Sequence, residues 1–447
     1  MGARPLAPDL IAARLLELAP RRVIVAFSGG LDSTVLLNLL AAGPLADKLH
    51  AIHCDHGIHR ESAAWAEGCA KAVAALGASC EVLRLELPRS AAAGLEADAR
   101  SARYAAFAQR LDPGDVLVTA HHADDQAETF LLMALRGAGP AGLAAMPEVA
   151  PLGAGQHARP LLGWTRAELK RWAEPLGLAW LEDPSNVDLS RDRNRIRHRV
   201  MPALRERWPA AAHSLARAAA LSNEARGLLE ALADLDLAAH HDPAAPQRLP
   251  IAAFAGLDAP RARNALRRWL LALDLPPPPG KAVGRILDEV VPSRPDAKAR
   301  VAWSGAWVAR YAGMLHAGAT LPPAPKPTER WAFGPGRLLA LPSGGALSLE
   351  PARGEGLAAA LVAAQPLEVR YRSGTEQLKP QGSAHHRSLK KLLVAARVAP
   401  WMRSRLPLIY VGGELAAVAD LIVADRFAAG AGAPGLRVVW NGHPPLR

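Results

Sequence analysis

Six residues near the amino terminus, Ser28-Gly29-Gly30-Leu31-Asp32-Ser33, put two glycines, two hydroxyls and one carboxylate directly after an apolar run. Two glycines let the backbone approach a ligand closely, and the amides that open a following helix lack internal partners at the positive end of its dipole. An anion belongs there, and a phosphate suits such a turn. No lysine stands in the loop, which separates it from the G-x-x-x-x-G-K-[ST] turn used for γ-phosphate transfer. Ser28 and Ser33 offer hydroxyls, and Asp32 offers a hard oxygen that could hold Mg²⁺ beside the phosphates. The plainer alternative is the glycine turn that any doubly wound sheet places after its first strand, with Ser and Asp acting only as caps.

A second concentration of polar groups is His121-His122-Ala123-Asp124-Asp125-Gln126-Ala127-Glu128-Thr129. If a helix starts early there, His121, Asp125, Glu128 and Thr129 share one face. The helix dipole favours acidic residues in a first turn, so capping accounts for one or two of these groups but not for both histidines. Zinc or a metal pair could use such ligands, yet beside a phosphate loop Mg²⁺ held with phosphates is the better match. Other candidates are smaller. His53 ends an apolar run and could meet a base or ribose, or serve as an ordinary loop residue. Glu96, Arg100, Arg103 and Tyr104 fall on one helical face, where Glu96 and Arg100 also make a plain i,i+4 pair. Arg193 and Arg197 lie one turn apart and could clamp phosphates as lysines could not, or simply solvate a basic helix.

The elements that must carry these groups follow from the apolar pattern. Strands are expected at Val23 to Phe27, Leu49 to Cys54, Cys80 to Leu87 and Asp115 to Ala120, with helices between them. Val23 to Phe27 is apolar without alternation, as a central strand covered on both faces should be. That alternation predicts a doubly wound parallel sheet with ligands at its carboxyl edge. A helix is expected from about Gly94 to Leu111, the stretch from Gly137 to Pro160 reads as turn-rich and exposed, and Trp164 to Leu176 reads as helix.

With 447 residues, two or three domains are expected. The formal charge of +11 comes mostly from arginine, with nine lysines, and suits a polyanion such as RNA. Cys54, Cys69 and Cys80 form no C-x-x-C pair, which argues against structural zinc and a disulfide framework and for a reducing cytoplasm. Neither a secretory leader nor a long uncharged apolar run is present, so no membrane partner is expected.

The S-G-G-L-D-S loop resembles that of the ATP pyrophosphatases. Joined to H-x-D-H-G at His53, A-R-x-x-R-Y at Ala99 to Tyr104, H-H-x-D-D-Q-x-E-T at His121 and R-N-x-x-R at Arg193, it resembles the tRNA(Ile)-lysidine synthetase family. The likeness returns at Arg370-Tyr371-Arg372-Ser373-Gly374, Ser388-Leu389-Lys390-Lys391-Leu392 and Val398 to Leu408, which look like the family's carboxyl-terminal tRNA-binding module. Two departures are Ala399, where a proline is commoner, and His59, where the family often has arginine, which leaves the role of Arg60 open.

The resemblance implies an α/β, doubly wound phosphate-loop domain of the adenine nucleotide alpha-hydrolase type over 1–205. A helical tRNA-contacting domain over 206–320, a connection over 321–365 and a small α+β tRNA-binding domain over 366–447 would follow. It also implies an enzyme that uses ATP and Mg²⁺ to join free L-lysine to C2 of the wobble cytidine of isoleucine tRNA with a CAU anticodon, through an adenylated intermediate. Codon reading then changes from AUG to AUA and identity from methionine to isoleucine. The implied ATP site is Ser28, Gly29, Gly30, Leu31, Asp32, Ser33 and His53, with Asp32 also the metal contact and Asp32, His121 and Asp125 the catalytic set. Glu96, Arg100, Arg103, Glu128, Arg193, Arg197, Arg372, Lys390, Lys391 and Arg403 are the implied lysine or tRNA contacts, and a homodimer is the family-level expectation. A tRNA sulfur transferase is the main alternative, and the missing cysteine pair speaks against it; an amide-forming ligase or a non-catalytic tRNA-binding protein would leave the basic carboxyl-terminal half or the intact acidic groups without a use.

Overall fold

A computed structural model of the chain describes residues 5–55, 62–85, 95–182, 188–294, 297 and 299–446, without the side chains of 95–99. His56, Gly57, His59, Arg60 and the Asp183 to Asn186 run lie outside the described residues, as does the side chain of Glu96. The chain divides into two compact units, Met1–Leu229 and Glu230–Arg447.

The first unit is built on a six-stranded sheet in the order β3-β2-β1-β4-β6-β5. Its strands are β1 (Arg22–Ala26), β2 (Leu49–Asp55), β3 (Ser79–Arg84), β4 (Asp115–Val118), β5 (Val149–Leu152) and β6 (Gly155–Ala158). Five run parallel and β5 closes the edge antiparallel to β6. Helices α1 (Pro8–Leu16), α2 (Leu31–Ala41), α3 (Ser62–Ala75), α4 (Leu95–Ala108) and α5 (Ala123–Leu135) intervene. Then come α6 (Pro140–Leu143), α7 (Arg166–Ala173), α8 (Asp192–Arg195), α9 (Met201–Arg207) and α10 (Ala211–Leu237).

The central strand is covered on both sides, which is why it lacks alternation. Val23 and Val25 pack with Ile11 and Leu15 of α1 and Leu36 and Leu40 of α2, while Ile24 packs on the other face with Ile52, Phe107 and Leu117. β1 pairs with both β2 and β4, so the strand order turns back on itself between β1 and β4. Two neighbouring connections there leave in opposite directions and open a crevice at the carboxyl edge. The Ser28 loop leaves β1 at that edge, and the His121 segment leaves β4 beside it. All four expected strands are present; the turn-rich stretch before Pro160 holds the β5–β6 hairpin, whose end from His157 to Pro160 is buried.

The second unit opens with an antiparallel sheet of Arg248–Pro250, Met314–Ala319, Ala306–Tyr311 and Arg300–Trp303. Helices Ala259–Leu271 and Gly280–Arg285 share a core with it through Leu266, Trp269, Val283, Val308 and Leu315. Beyond it a five-stranded, a four-stranded and a two-stranded sheet contribute to the core of the carboxyl-terminal part. Strands Arg330–Phe333 and Ala346–Arg353, from the stretch read as a connection, belong to these sheets. Proline and glycine there mark turns, while Leu347 and Leu349 alternate with Ser348 and point into the core. Among the described residues no helix is long and apolar enough to cross a membrane.

Candidate active site

Gly29 takes a positive φ of 80°, a conformation glycine adopts without strain. A Cβ there would lie 2.8 Å from Cys69 Sγ and 2.9 Å from Leu181 Cδ1, so the position also demands absence of a side chain. The Leu181 amide donates to the Gly29 carbonyl at 2.8 Å and closes the loop from behind. Ser28 and Ser33 hydroxyls meet at 3.0 Å, and Ser33 Oγ donates to Gly30 O at 3.0 Å. Gly30 caps α2 without a side chain, so the first-turn amides of Leu31, Asp32 and Ser33 have no intrahelical acceptor. Leu31 itself is buried in the core and can contribute only backbone to a ligand. His53, at the end of β2, donates from Nδ1 to the Phe27 carbonyl at 2.9 Å. A carbonyl can only accept, so the hydrogen of this bond sits on Nδ1.

The two polar segments meet through His122. Its ring is 2% exposed, and it lies 3.6 Å from Asp32, 3.5 Å from Asp124 and 3.5 Å from Asp125. Burial opposes a charged imidazole, but Asp125, then Asp32 and Asp124, outweigh it and push His122 up to about 9. Arg166, at the start of α7, ties the same groups from outside: its amide donates to Asp124 Oδ2 at 2.7 Å and its Nε lies 3.5 Å from Asp32 Oδ1. Arg205 of α9 donates to Asp124 Oδ1.

Helix α5 begins at Ala123, after His121, so Asp125 and Glu128 occupy its first turns while His121 lies on the approach from β4. Asp125 accepts from the His122 amide at 3.1 Å, Arg193 Nη2 at 3.1 Å and Arg197 Nη2 at 3.0 Å. Burial would raise its carboxyl; His122, Arg193 and Arg197 instead hold it well below the usual range. Glu128, 1% exposed, accepts from Arg193 Nε at 2.9 Å and from Arg197 Nε at 2.7 Å. Both guanidinium groups are thus committed to carboxylates, and the four charges form one neutral block.

His121 accepts or donates through Nδ1 to Thr119 Oγ1 at 2.7 Å, and Thr119 Oγ1 meets His157 Nε2 at 2.9 Å. Burial pushes His121 down to about 3; Asp125 opposes the shift, and Arg159, Arg193 and Arg100 add to it. Arg100 is exposed and lies over the Tyr104 ring at 5.0 Å, and Tyr104 lies 5.5 Å from His157. Arg103 is half-buried, with no hydrogen-bond partner at Nε.

The remaining expected contacts belong to the second unit. Lys390 and Lys391 are exposed on helix Leu389–Ala395. Arg372 lies 3.9 Å from Glu376, and Arg403 donates to the Val398 carbonyl at 2.9 Å beside Tyr311. His122, Asp124, Arg166, Arg205, Thr119, His157 and Arg159 were not singled out from sequence. The first two sit inside the His121 motif, whereas the others have no motif of their own and come together only through the fold.

Among the described residues no three His, Cys, Asp or Glu side chains form a metal cage. Asp32 Oδ1, however, is buried without a hydrogen-bond partner. One hard carboxylate oxygen beside free helix amides fits Mg²⁺ held jointly with nucleotide phosphates.

Three family models match the chain: a PP-loop domain over residues 9–204, a TilS substrate binding domain over 249–316 and a TilS substrate C-terminal domain over 367–440. The tRNA(Ile)-lysidine synthase of Alkalilimnicola ehrlichii is 42% identical over 447 residues, 98% of each chain. That of Xanthomonas campestris is 40% identical, covering 95% of this chain and 96% of its own. The synthase of Methylococcus capsulatus is 40% identical over 93% of this chain and 95% of its own.

Proposed function

The chain belongs to the tRNA(Ile)-lysidine synthase family, a family of ATP-using tRNA-modifying ligases, and from that premise we propose the full reaction. The wobble cytidine of isoleucine tRNA with a CAU anticodon is adenylated with release of pyrophosphate, and free L-lysine then displaces AMP to form lysidine. The observation that carries it is the junction at His122, where the phosphate loop's Asp32 and the Asp125 segment share one buried imidazole.

In the first step the cytosine O2 attacks the α-phosphorus, and negative charge gathers on the leaving pyrophosphate. The open amides of α2 and the hydroxyls of Ser28 and Ser33 receive that charge, and His53 meets the nucleoside. Bound Mg²⁺, which Asp32 would hold, supplies charge neutralisation at the phosphates. Arg166 and His122 fix the Asp32 carboxylate in place. In the second step lysine must present a neutral ε-amine to C2, its proton passing to solvent water, and AMP departs with the oxygen as the C2–O bond breaks. Asp125, kept ionised by its cationic neighbours, is suited to receive and orient the ammonium, and Glu128 with Arg193 and Arg197 fixes Asp125. Arg100, Arg103 and the exposed Lys390 and Lys391 are proposed to meet the tRNA, and a homodimer is the expected assembly.

A sulfur transferase that carries sulfur on cysteine needs a nucleophilic thiolate. Burial pushes Cys54 and Cys69 up to about 11 and raises Cys80 as well, so all three are protonated thiols at neutral pH. Pyrophosphate release tests the adenylating half: it should require the isoleucine tRNA and proceed without lysine. Release driven by a small acid in the absence of RNA would contradict the proposal.

A further inference from the structure

The polar chain behind His121 has a direction. Arg159 Nη2 lies 3.0 Å from His157 Nδ1, and a guanidinium can only donate, so His157 Nδ1 must carry a lone pair. Burial, with Arg159, His121 and Arg100, pushes His157 down to about 3, so the ring is neutral and its hydrogen is on Nε2. That hydrogen points at Thr119 Oγ1, 2.9 Å away. Thr119 is 7% exposed, and its hydroxyl meets only the two histidines among the described side-chain bonds. Its own proton is satisfied if it donates to His121 Nδ1 at 2.7 Å. His121, also neutral, then holds its hydrogen on Nε2, the ring nitrogen that no described hydrogen bond engages.

We propose that Arg159, His157 and Thr119 are positioning residues that lock His121 as the Nε2–H tautomer, making it a hydrogen-bond donor to an oxygen that gains negative charge in the reaction rather than the base for the lysine amine. The role of His121 toward substrate rests on the lysidine reaction proposed above; the tautomer does not. The resemblance places His121 in the catalytic set without fixing its role, and the relay removes that of base, because the one basic nitrogen of the ring is occupied by the Thr119 hydroxyl. A neutral imidazole donor delivers an N–H to a developing oxyanion without placing a full positive charge beside Arg193 and Arg159.

Long-range ¹H–¹⁵N spectra of the full chain carrying ¹⁵N-histidine read the tautomer directly, with the His121 signals assigned by their loss in His121→Gln. The expected pattern near neutral pH is a protonated Nε2 and a bare Nδ1; a protonated Nδ1 or an imidazolium overturns the proposal. In Thr119→Val the pattern should become a mixture, and kcat for lysine incorporation should fall at least about tenfold at unchanged KM for ATP; an imposed wrong tautomer can cost up to about 10⁴. Thr119→Ser, which keeps the hydroxyl, should restore both. Equal losses in Val and Ser, or none in Val, overturn it. His121→Gln keeps an N–H donor and has no basicity, so it should stay within about tenfold of wild type, while His121→Ala should lose about 10²–10³ in kcat. Equal losses in Gln and Ala overturn the donor role. The spectra need no substrate, so an Nε2–H tautomer in a wild-type chain that incorporates no lysine would refute the reaction and leave the relay standing.

Discussion

At the scale of single residues the site is a balance of charge. Asp32 has Oδ2 against His122 and Oδ1 3.5 Å from Arg166 Nε, buried and without a hydrogen bond, so its carboxylate is oriented by two cationic neighbours while Oδ1 keeps an unused lone pair. Asp32→Ala should abolish tRNA-dependent pyrophosphate release while the far-ultraviolet circular dichroism stays native; wild-type release by this variant would remove Asp32 from the site. Glu128 is a different kind of residue. It is 1% exposed and holds two guanidinium groups whose side chains are 31% and 32% exposed. Glu128→Gln leaves two cations facing Asp125 alone. Breaking a buried pair costs about 3–5 kcal/mol, and the partial exposure of the arginines places this one near 3 kcal/mol. A denaturant melt should show that loss, and a change below about 1 kcal/mol would mean the block is not what holds α5 to α8.

At the scale of elements, the turn after β1 is where a backbone conformation and a ligand requirement coincide. Gly29→Ala forces an L-residue to φ 80° and drives a Cβ against Cys69 and Leu181. The left-handed conformation costs about 1–2 kcal/mol, and the displaced loop should weaken ATP binding measured by titration calorimetry. Native affinity would show that the loop does not hold the phosphates. Strand β1 and its turn were legible because a short apolar run followed by glycines has few other meanings, and the residues of the His121 motif declared themselves by density of polar groups. Arg166, His157 and Arg159 were not legible. Each is brought to the crevice by a crossover or hairpin, and nothing local distinguishes a relay arginine from a surface one. The strands at 330–333 and 346–353 were hidden for a related reason: proline and glycine dominate the composition, while pairing partners at 367–370 and 434–441 are far along the chain.

A second element carries a pH signature. His316 is 5% exposed in strand Met314–Ala319, its ring 5.1 Å from Trp401 and 6.3 Å from Tyr311, with Nε2 unpartnered. Burial pushes it down to about 4; a backbone bond at Tyr311 opposes the shift and Arg248 adds to it. The unfolded ring takes up its proton near 6.5, before the folded one does. Stability is therefore complete above about 6.5 and falls as pH drops toward 4, by roughly 3 kcal/mol for this group. His316→Phe should flatten that slope in melts across the range, and an unchanged slope would assign the acid sensitivity elsewhere.

At the scale of the whole molecule the excess of +11 suits a polyanionic partner. The logarithm of the tRNA binding constant should fall linearly with the logarithm of salt concentration. Lys390→Ala with Lys391→Ala, both exposed on one short helix, should reduce that slope by about 1–2 and spare ATP binding. An unchanged slope would place the tRNA on another face. Charge explains grip, not chemistry, and the chemistry is settled most directly by giving the enzyme labelled lysine and unmodified isoleucine tRNA with a CAU anticodon, with ATP and Mg²⁺ present or withheld. The account predicts ATP-dependent label in the tRNA, lost when the wobble cytidine is replaced. Pyrophosphate release with that tRNA but no label would contradict the assignment of lysine as the nucleophile.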